Sequence, residues 1–160
     1  MPNFEARAGT VNIPLAPDFF NQDFGYGLWE GVVDPANPEG PRAIVMFVPA
    51  GSLSKVWELV QPGYSERVEL LAGSASLVVH RGEGDTEEWV TMPLTMEDPT
   101  ADGIVIECGD QFCVVTDEED AIVLSRPSMD FDISYERDVT THPSDALSQF
   151  IVAHVAAQAS

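Results

Sequence analysis

The sequence predicts an all-β fold with one helix at its carboxyl end, and three observations carry the prediction. Short apolar runs follow one another through the middle of the chain. In Asp130-Phe131-Asp132-Ile133-Ser134-Tyr135-Glu136 every second residue is apolar, the pattern of a strand with one buried face. Turn-forming clusters separate these runs: Gln61-Pro62-Gly63, Gly82-Glu83-Gly84-Asp85, Asp98-Pro99 and Gly109-Asp110. Only the stretch from Pro143 to Gln158 changes to a helical period, with Leu147, Phe150, Ile151, His154 and Val155 on one face. Many short strands divided by turns build a sandwich or barrel rather than a parallel sheet with crossover helices.

In chain order, residues 1–42 read as an amino-terminal segment outside the strand array and packed upon it. From Phe19 to Trp29 five aromatics (Phe19, Phe20, Phe24, Tyr26, Trp29) interleave with Gly25 and Gly27, whose missing side chains let a backbone or ligand approach closely. The body, residues 43–137, has strands expected over Ala43 to Val48, Val56 to Val60, Val68 to Ala72, Ala75 to Val79, Trp89 to Leu94, Ile104 to Cys108, Phe112 to Thr116 and Ala121 to Ser125. The tail, residues 138–160, carries the helix. Pro143 and Asp145 suit its first turn, where a missing N–H costs nothing and negative charge meets the helix dipole. All three parts belong to one domain, since 160 residues enclose a single substantial core.

The charge balance narrows the partners. With 27 acidic and 7 basic side chains the net charge is -20, which repels phosphate backbones and anionic head groups, so neither nucleic acid nor a membrane surface is expected as a partner. The first residues, Met1-Pro2-Asn3-Phe4-Glu5-Ala6-Arg7, lack the apolar core of a secretory signal, and no apolar run reaches membrane-spanning length; a cytoplasmic protein is expected. Cys108 and Cys113 flank the Gly109-Asp110 turn. Two thiols without clustered histidines make no structural zinc site, leaving two buried free thiols or a disulfide across the turn.

Two fragments are more specific. Gly51 is followed, after five residues, by Trp57-Glu58-Leu59, and Glu66 is followed, after six, by Gly73. Later come Gly109-Asp110, Val115-Thr116-Asp117 at a turn, and Asp120. In this order, with Pro49-Ala50 before Gly51, Pro62-Gly63 between and Pro127 after, the stretch from Gly51 to Tyr135 resembles the cupin superfamily. The resemblance implies a cupin-like double-stranded β-helix, a jelly-roll barrel; a lipocalin-like or other small antiparallel barrel is the alternative. It also places Trp57 and Leu59 where cupins have a His-x-His pair, and Asp120 where they have a later histidine. An indole and an isobutyl group offer a metal no lone pair, and the carboxylates of Glu66 and Asp120 alone are too few for a transition metal. No metal and no cofactor are expected.

The candidate site comprises Trp57, Leu59, Glu66, Asp120 and Arg126. Period-two counting gives Glu66 the face of Val68, Leu70 and Ala72, where a carboxylate in apolar surroundings is suited to acid–base work; the competing reading is a solvated strand start. Asp120 shares parity with Ile122, Leu124 and Arg126. An arginine directed inward would hold a substrate carboxylate or phosphate, whereas one directed elsewhere would pair with a protein carboxylate. Trp57 and Leu59 share a face able to stack on a ligand or simply to pack in the core, unless Val56, Glu58 and Val60 are the inward set. Among the remaining candidates, His80, His142 and His154 form no cluster, and Asp117-Glu118-Glu119-Asp120 lacks the oxygen-ligand spacing of a calcium loop.

Two functions follow. The main one is a metal-free cupin-like protein binding a small organic ligand in its interior. The alternative is a metal-independent isomerase, epimerase or lyase with Glu66 or Asp120 as acid/base. Two convergent titratable groups in the interior favour the enzyme, and a dry interior favours the binder. A homodimer is expected from the apolar helix face and the aromatic segment.

Overall fold

A computed structural model describes residues 2–6, 9–22, 25–54, 57–59, 61–81, 88–94, 104–130 and 136–138; for 57–59, 81, 88–89 and 136–138 it describes the backbone. The strands are β1 (Asn3–Ala6), β2 (Gly9–Asn12), β3 (Phe19–Phe20), β4 (Gly27–Val32), β5 (Ala43–Val48), β6 (Trp57–Leu59) and β7 (Ser65–Gly73). They continue as β8 (Ala75–Arg81), β9 (Glu88–Leu94), β10 (Ile104–Glu107), β11 (Gln111–Val115), β12 (Ala121–Pro127) and β13 (Glu136–Asp138).

All pairings are antiparallel. A six-stranded sheet runs β10-β7-β12-β5-β4-β3, a five-stranded sheet runs β13-β6-β11-β8-β9, and β1-β2 form a hairpin. The all-β class therefore stands, but the jelly-roll barrel does not. Among the described residues the six-stranded sheet ends at β10 and β3 and the five-stranded sheet at β13 and β9, with no hydrogen-bonded pairing to close either. Closing a barrel demands paired edges as well as tilted strands, and local alternation says nothing of which strands become edges. No helix occurs among the described residues. The helix expected over Pro143 to Gln158 lies outside them, as do residues 131–135 of the strand expected from Asp130 to Glu136.

Side chains rather than edges join the two sheets. Met46, Val48, Val68, Leu70, Ala121 and Val123 of the six-stranded sheet share one buried cluster with Ala75, Leu77, Val79, Phe112 and Val114 of the five-stranded sheet. Each contributes about 1.5–3 kcal/mol by leaving water if its side chain is as large as valine. A second cluster lies on the outer face of the six-stranded sheet, where Val11 and Ile13 cover Trp29, Val32, Val45, Leu71 and Leu124. The indole N–H of Trp29 donates to the carbonyl of Pro14 at 2.9 Å, fastening the chain after the hairpin to β4. Thus β12 is buried on both faces, with Ala121 and Val123 inward and Leu124 outward. That explains its nearly unbroken apolar run.

The aromatic amino-terminal segment is more regular than its sequence indicates. Phe19 and Phe20 pair with Leu28 and Gly27, and β4 pairs with β5, so this stretch extends the six-stranded sheet instead of lying outside the strand array. A register shift between Trp29 and Val32 breaks the alternation that would have revealed it.

Candidate functional site

The beginning of β7 is where polar groups enter the interior. Gln61-Pro62-Gly63 forms the turn, closed by the Tyr64 N–H donating to the Gln61 carbonyl at 3.1 Å. Two neighbours then fix the strand: the Cys108 N–H donates to the Tyr64 carbonyl at 3.1 Å, and the Ser128 N–H to the Ser65 carbonyl at 2.8 Å. Tyr64 and Glu66, two apart on an extended chain, lie on the same side. That side is the inner one, for it continues into Val68 and Leu70 of the core. Tyr64 is 1% exposed and Glu66 6%.

Glu66 is held at both oxygens. The Tyr64 hydroxyl donates to Oε1 at 2.6 Å, and the Ser125 hydroxyl donates to Oε2 at 2.7 Å. Ser125 reaches it because β12 runs antiparallel beside β7 with Ser125 opposite Val68 and Pro127 opposite Glu66. Its parity with Ala121 and Val123 gives Ser125 the inner face. Burying an unpaired carboxylate would be prohibitive, whereas one accepting two short hydroxyl bonds is the ordinary way such a group is tolerated. Two donors directed at two oxygens suit the ionised, acceptor-only form. Gln61, also buried, donates from Nε2 to the Asp130 carbonyl at 3.0 Å and closes this end of the polar cluster.

The other candidate residues go elsewhere. Asp120 is exposed and accepts the Ala50 N–H at 2.8 Å, so it ties the corner after β5 to the turn before β12. Arg126 does share parity with Leu124, but that face is the outer one. Its Nε lies 3.1 Å from Asp34 Oδ1 and Oδ2, and its Nη1 lies 3.0 Å from Glu69 Oε1. Asp34 in turn accepts the Ala36 N–H at 2.9 Å. The arginine therefore links the loop after β4 to β7, and the sheet separates it from Glu66. Trp57 pairs in register with the core residue Phe112, and Leu59 with Glu136; their side chains lie outside the described atoms. Of the selected residues whose side chains are described, Glu66, Asp120 and Arg126, only Glu66 belongs to the buried polar cluster. Tyr64 and Ser125, its partners, were not among them, although Tyr64 shares the period-two face of Glu66 and Ser125 the face of Val123.

The residues matching the cupin glycines and turns act as corners. Gly51 donates its N–H to the Asp117 carbonyl at 2.7 Å. The buried Thr116 hydroxyl donates to the Pro49 carbonyl and accepts the Ser52 N–H at 3.0 Å. Asp110 accepts the Glu107 N–H at 2.8 Å and shapes the turn between β10 and β11. Of the cysteines flanking that turn, both are free thiols; Cys108 is exposed and Cys113 buried. Desolvation pushes the Cys113 thiol far up, so it is an inert core residue. Among the described residues no group of three or more His, Cys, Asp or Glu is placed to hold a metal ion. No helix among them is long and apolar enough to cross a membrane.

No protein-family model matches the chain, and no curated protein sequence matches it. Solved structures do. Peruvianin-I, a cysteine peptidase from Thevetia peruviana latex, is 15% identical with a TM-score of 0.57, over 78% of this chain and 72% of that one. An oxalate oxidase in complex with the substrate analogue glycolate is 11% identical with a TM-score of 0.58, over 89% of this chain and 73% of that one. The Mycobacterium tuberculosis rmlC epimerase is 18% identical with a TM-score of 0.52, over 62% of this chain and 51% of that one, so the match spans about half its length. Identities this low show the fold alone, a cupin-like one, and nothing finer.

Proposed function

We propose that the chain is a metal-independent enzyme of the isomerase, epimerase or lyase type, in which Glu66 takes a proton from a carbon acid and returns it. One observation carries the reading: the interior contains two convergent titratable groups, the Glu66 carboxylate and the Tyr64 hydroxyl, 2.6 Å apart. A dry interior would have favoured a simple binding protein. The likeness to an epimerase adds only that this scaffold hosts such an enzyme elsewhere.

The chemistry follows from the donors. Glu66 accepts the proton from a carbon beside a carbonyl, and the C–H electron pair moves toward the carbonyl oxygen as the enolate forms. The proton then returns from the same carboxyl to the same or the adjacent carbon, or the electron pair expels a leaving group. Ser125 is the donor that can turn aside, since a hydroxyl on a single rotatable bond frees Oε2 by rotating, while Tyr64 keeps Oε1 in place. Asp120, solvated and tied to Ala50, is the weaker choice for this role.

The test is incorporation of solvent deuterium at carbon in α-hydroxy ketones, with dihydroxyacetone and acetoin as probes. Positioned acid–base groups contribute about 10²–10⁴-fold. Glu66→Gln is therefore expected to lose at least about 100-fold of the exchange rate, and Tyr64→Phe a smaller factor. Exchange by Glu66→Gln at the wild-type rate, with the fold intact by circular dichroism, would remove Glu66 from the chemistry.

A further inference from the structure

We infer that Ser125 is a nucleophile and that Tyr64, Glu66 and Ser125 together transfer acyl groups from apolar esters to water, an activity that shares Glu66 with the carbon-acid reading but does not depend on it. A hydroxyl is activated for attack when a base lies within about 2.6–3.2 Å of it and a third group orients that base. All three parts are present. The Ser125 hydroxyl donates to Glu66 Oε2 at 2.7 Å, and the Tyr64 hydroxyl donates to Oε1 at 2.6 Å. Paired strands hold them in place. Glu66 lies in β7 just after Tyr64, and the antiparallel ladder sets Ser125 of β12 opposite Val68. Ile106, opposite Glu66 in register, and Val68 are buried apolar residues of the same inner layer, so the acyl donor they suit is apolar.

Burial ranks the three groups in the order the reaction needs. Tyr64 and Glu66 are buried while Ser125 is half-buried, so a substrate reaches the hydroxyl more readily than the base behind it. A serine hydroxyl has one hydrogen and two lone pairs. With the hydrogen held by Glu66, the lone pairs are turned away from the carboxylate, where an ester carbonyl can meet them. Glu66 takes the Oγ proton as Oγ bonds to the carbonyl carbon and the C=O pair moves to oxygen. That pair returns, the bond to the leaving oxygen breaks, and the leaving oxygen takes the proton from Glu66. Water then attacks the acyl-serine and gives its proton to Glu66; Oγ recovers that proton as its bond to the acyl carbon breaks. Ester and water are consumed, acid and alcohol are released, and nothing is oxidised. Tyr64 touches no reacting atom and is a positioning residue.

The experiment treats the full chain at neutral pH with an alkyl fluorophosphonate, which bonds to a nucleophilic serine as fluoride leaves, and follows each serine peptide by mass spectrometry. Ser128 is the internal control: it is more exposed than Ser125, and its hydroxyl accepts the Ser65 N–H at 3.0 Å. Ser125 is expected to be labelled at least about 100-fold faster than Ser128, the contribution of a positioned base, and Glu66→Gln to lose a similar factor at Ser125. Tyr64→Phe is expected to lose a smaller one. The wild type is also expected to hydrolyse p-nitrophenyl acetate faster than Ser125→Ala does. Labelling of Ser128 as fast as Ser125, or of neither, overturns the inference. So does a folded Glu66→Gln labelled at the wild-type rate, or ester cleavage no faster than that of Ser125→Ala. Where circular dichroism shows Glu66→Gln unfolded, the comparison of Ser125 with Ser128 in the wild type decides. The two readings fail separately. No label at Ser125 while deuterium exchange depends on Glu66 removes the acyl-transfer inference alone. Labelling that depends on Glu66 while exchange is indifferent to Glu66→Gln removes the carbon-acid reading alone.

Discussion

Replacing Gly73 by alanine tests how the two ends of the long strand pairing are held together. Gly73 ends β7 with φ at +79°, a conformation that side chains with a Cβ rarely adopt, and it lies opposite Ala121 in the β7-β12 ladder. A Cβ there would sit 1.7 Å from the Asp120 carbonyl oxygen, 2.8 Å from its carbonyl carbon and 3.2 Å from Ala121 Cα. All three are backbone atoms, so no rotamer change relieves the clash. The left-handed conformation costs about 1–2 kcal/mol. Forcing the backbones apart adds about 1–3 kcal/mol by analogy with overpacked cores. The sum is roughly 2–5 kcal/mol, and at about 2–4 °C per kcal/mol for a domain of this size the midpoint falls by roughly 10 °C. Gly31→Ala is the matched control: φ there is +66°, but nothing lies within 4 Å of the added carbon. It should cost only about 1 kcal/mol, since the reduced entropy of the unfolded chain offsets part of the strain. Urea unfolding with both transitions fitted to a common slope is the assay. Equal destabilisation by the two substitutions would refute the clash and leave backbone conformation as the whole effect.

Arg126→Ala should destabilise the fold through the loss of its ion pairs to Asp34 and Glu69. Removing the partner of a fully buried charge costs about 3–5 kcal/mol; with side-chain exposures of 19% for Arg126, 9% for Asp34 and 14% for Glu69, about 2–3 kcal/mol is expected. Arg126→Lys should restore less than half of it, because a single ammonium does not reproduce the fork that meets both carboxylates; urea midpoints measure both, and a loss below about 1 kcal/mol for Arg126→Ala would show the ion pairs to be solvated. Iodoacetamide at mildly alkaline pH should label Cys108 in the native protein and Cys113 only after unfolding, by peptide mass spectrometry. Burial keeps Cys113 protonated, and the thiolate is the reactive form.

The parts of this fold that could be read in the sequence are those set by local alternation. The run from Ala43 to Val48 is β5, and counting by twos from Glu66 groups it with Val68 and Leu70 but fails at Ala72, where a register shift sets Ala72 opposite Ile122 of the outer face. Strands that depend on irregular backbone were hidden. In β4, Gly27, Gly31 and the register shift near Val32 erase the period, and β1 and β2 are too short to display one. Barrel closure was misjudged because edge pairing joins residues far apart in sequence, about which alternation is silent. The site shows the same limit more sharply. Parity correctly joined Leu124 and Arg126 on one face of β12, yet parity assigns residues to two faces without saying which is inside. Both faces of β12 are apolar, so hydrophobicity did not break the tie. The tie is broken by what waits on each side. Outside, Asp34 and Glu69 meet a guanidinium; inside, Glu66 meets the hydroxyl of Ser125, one residue away. A one-residue choice of face thus moves Arg126 out of the interior and brings a hydroxyl in. That exchange leaves Arg126 to the ion pairs outside and gives Glu66 its hydroxyl partner on β12 inside.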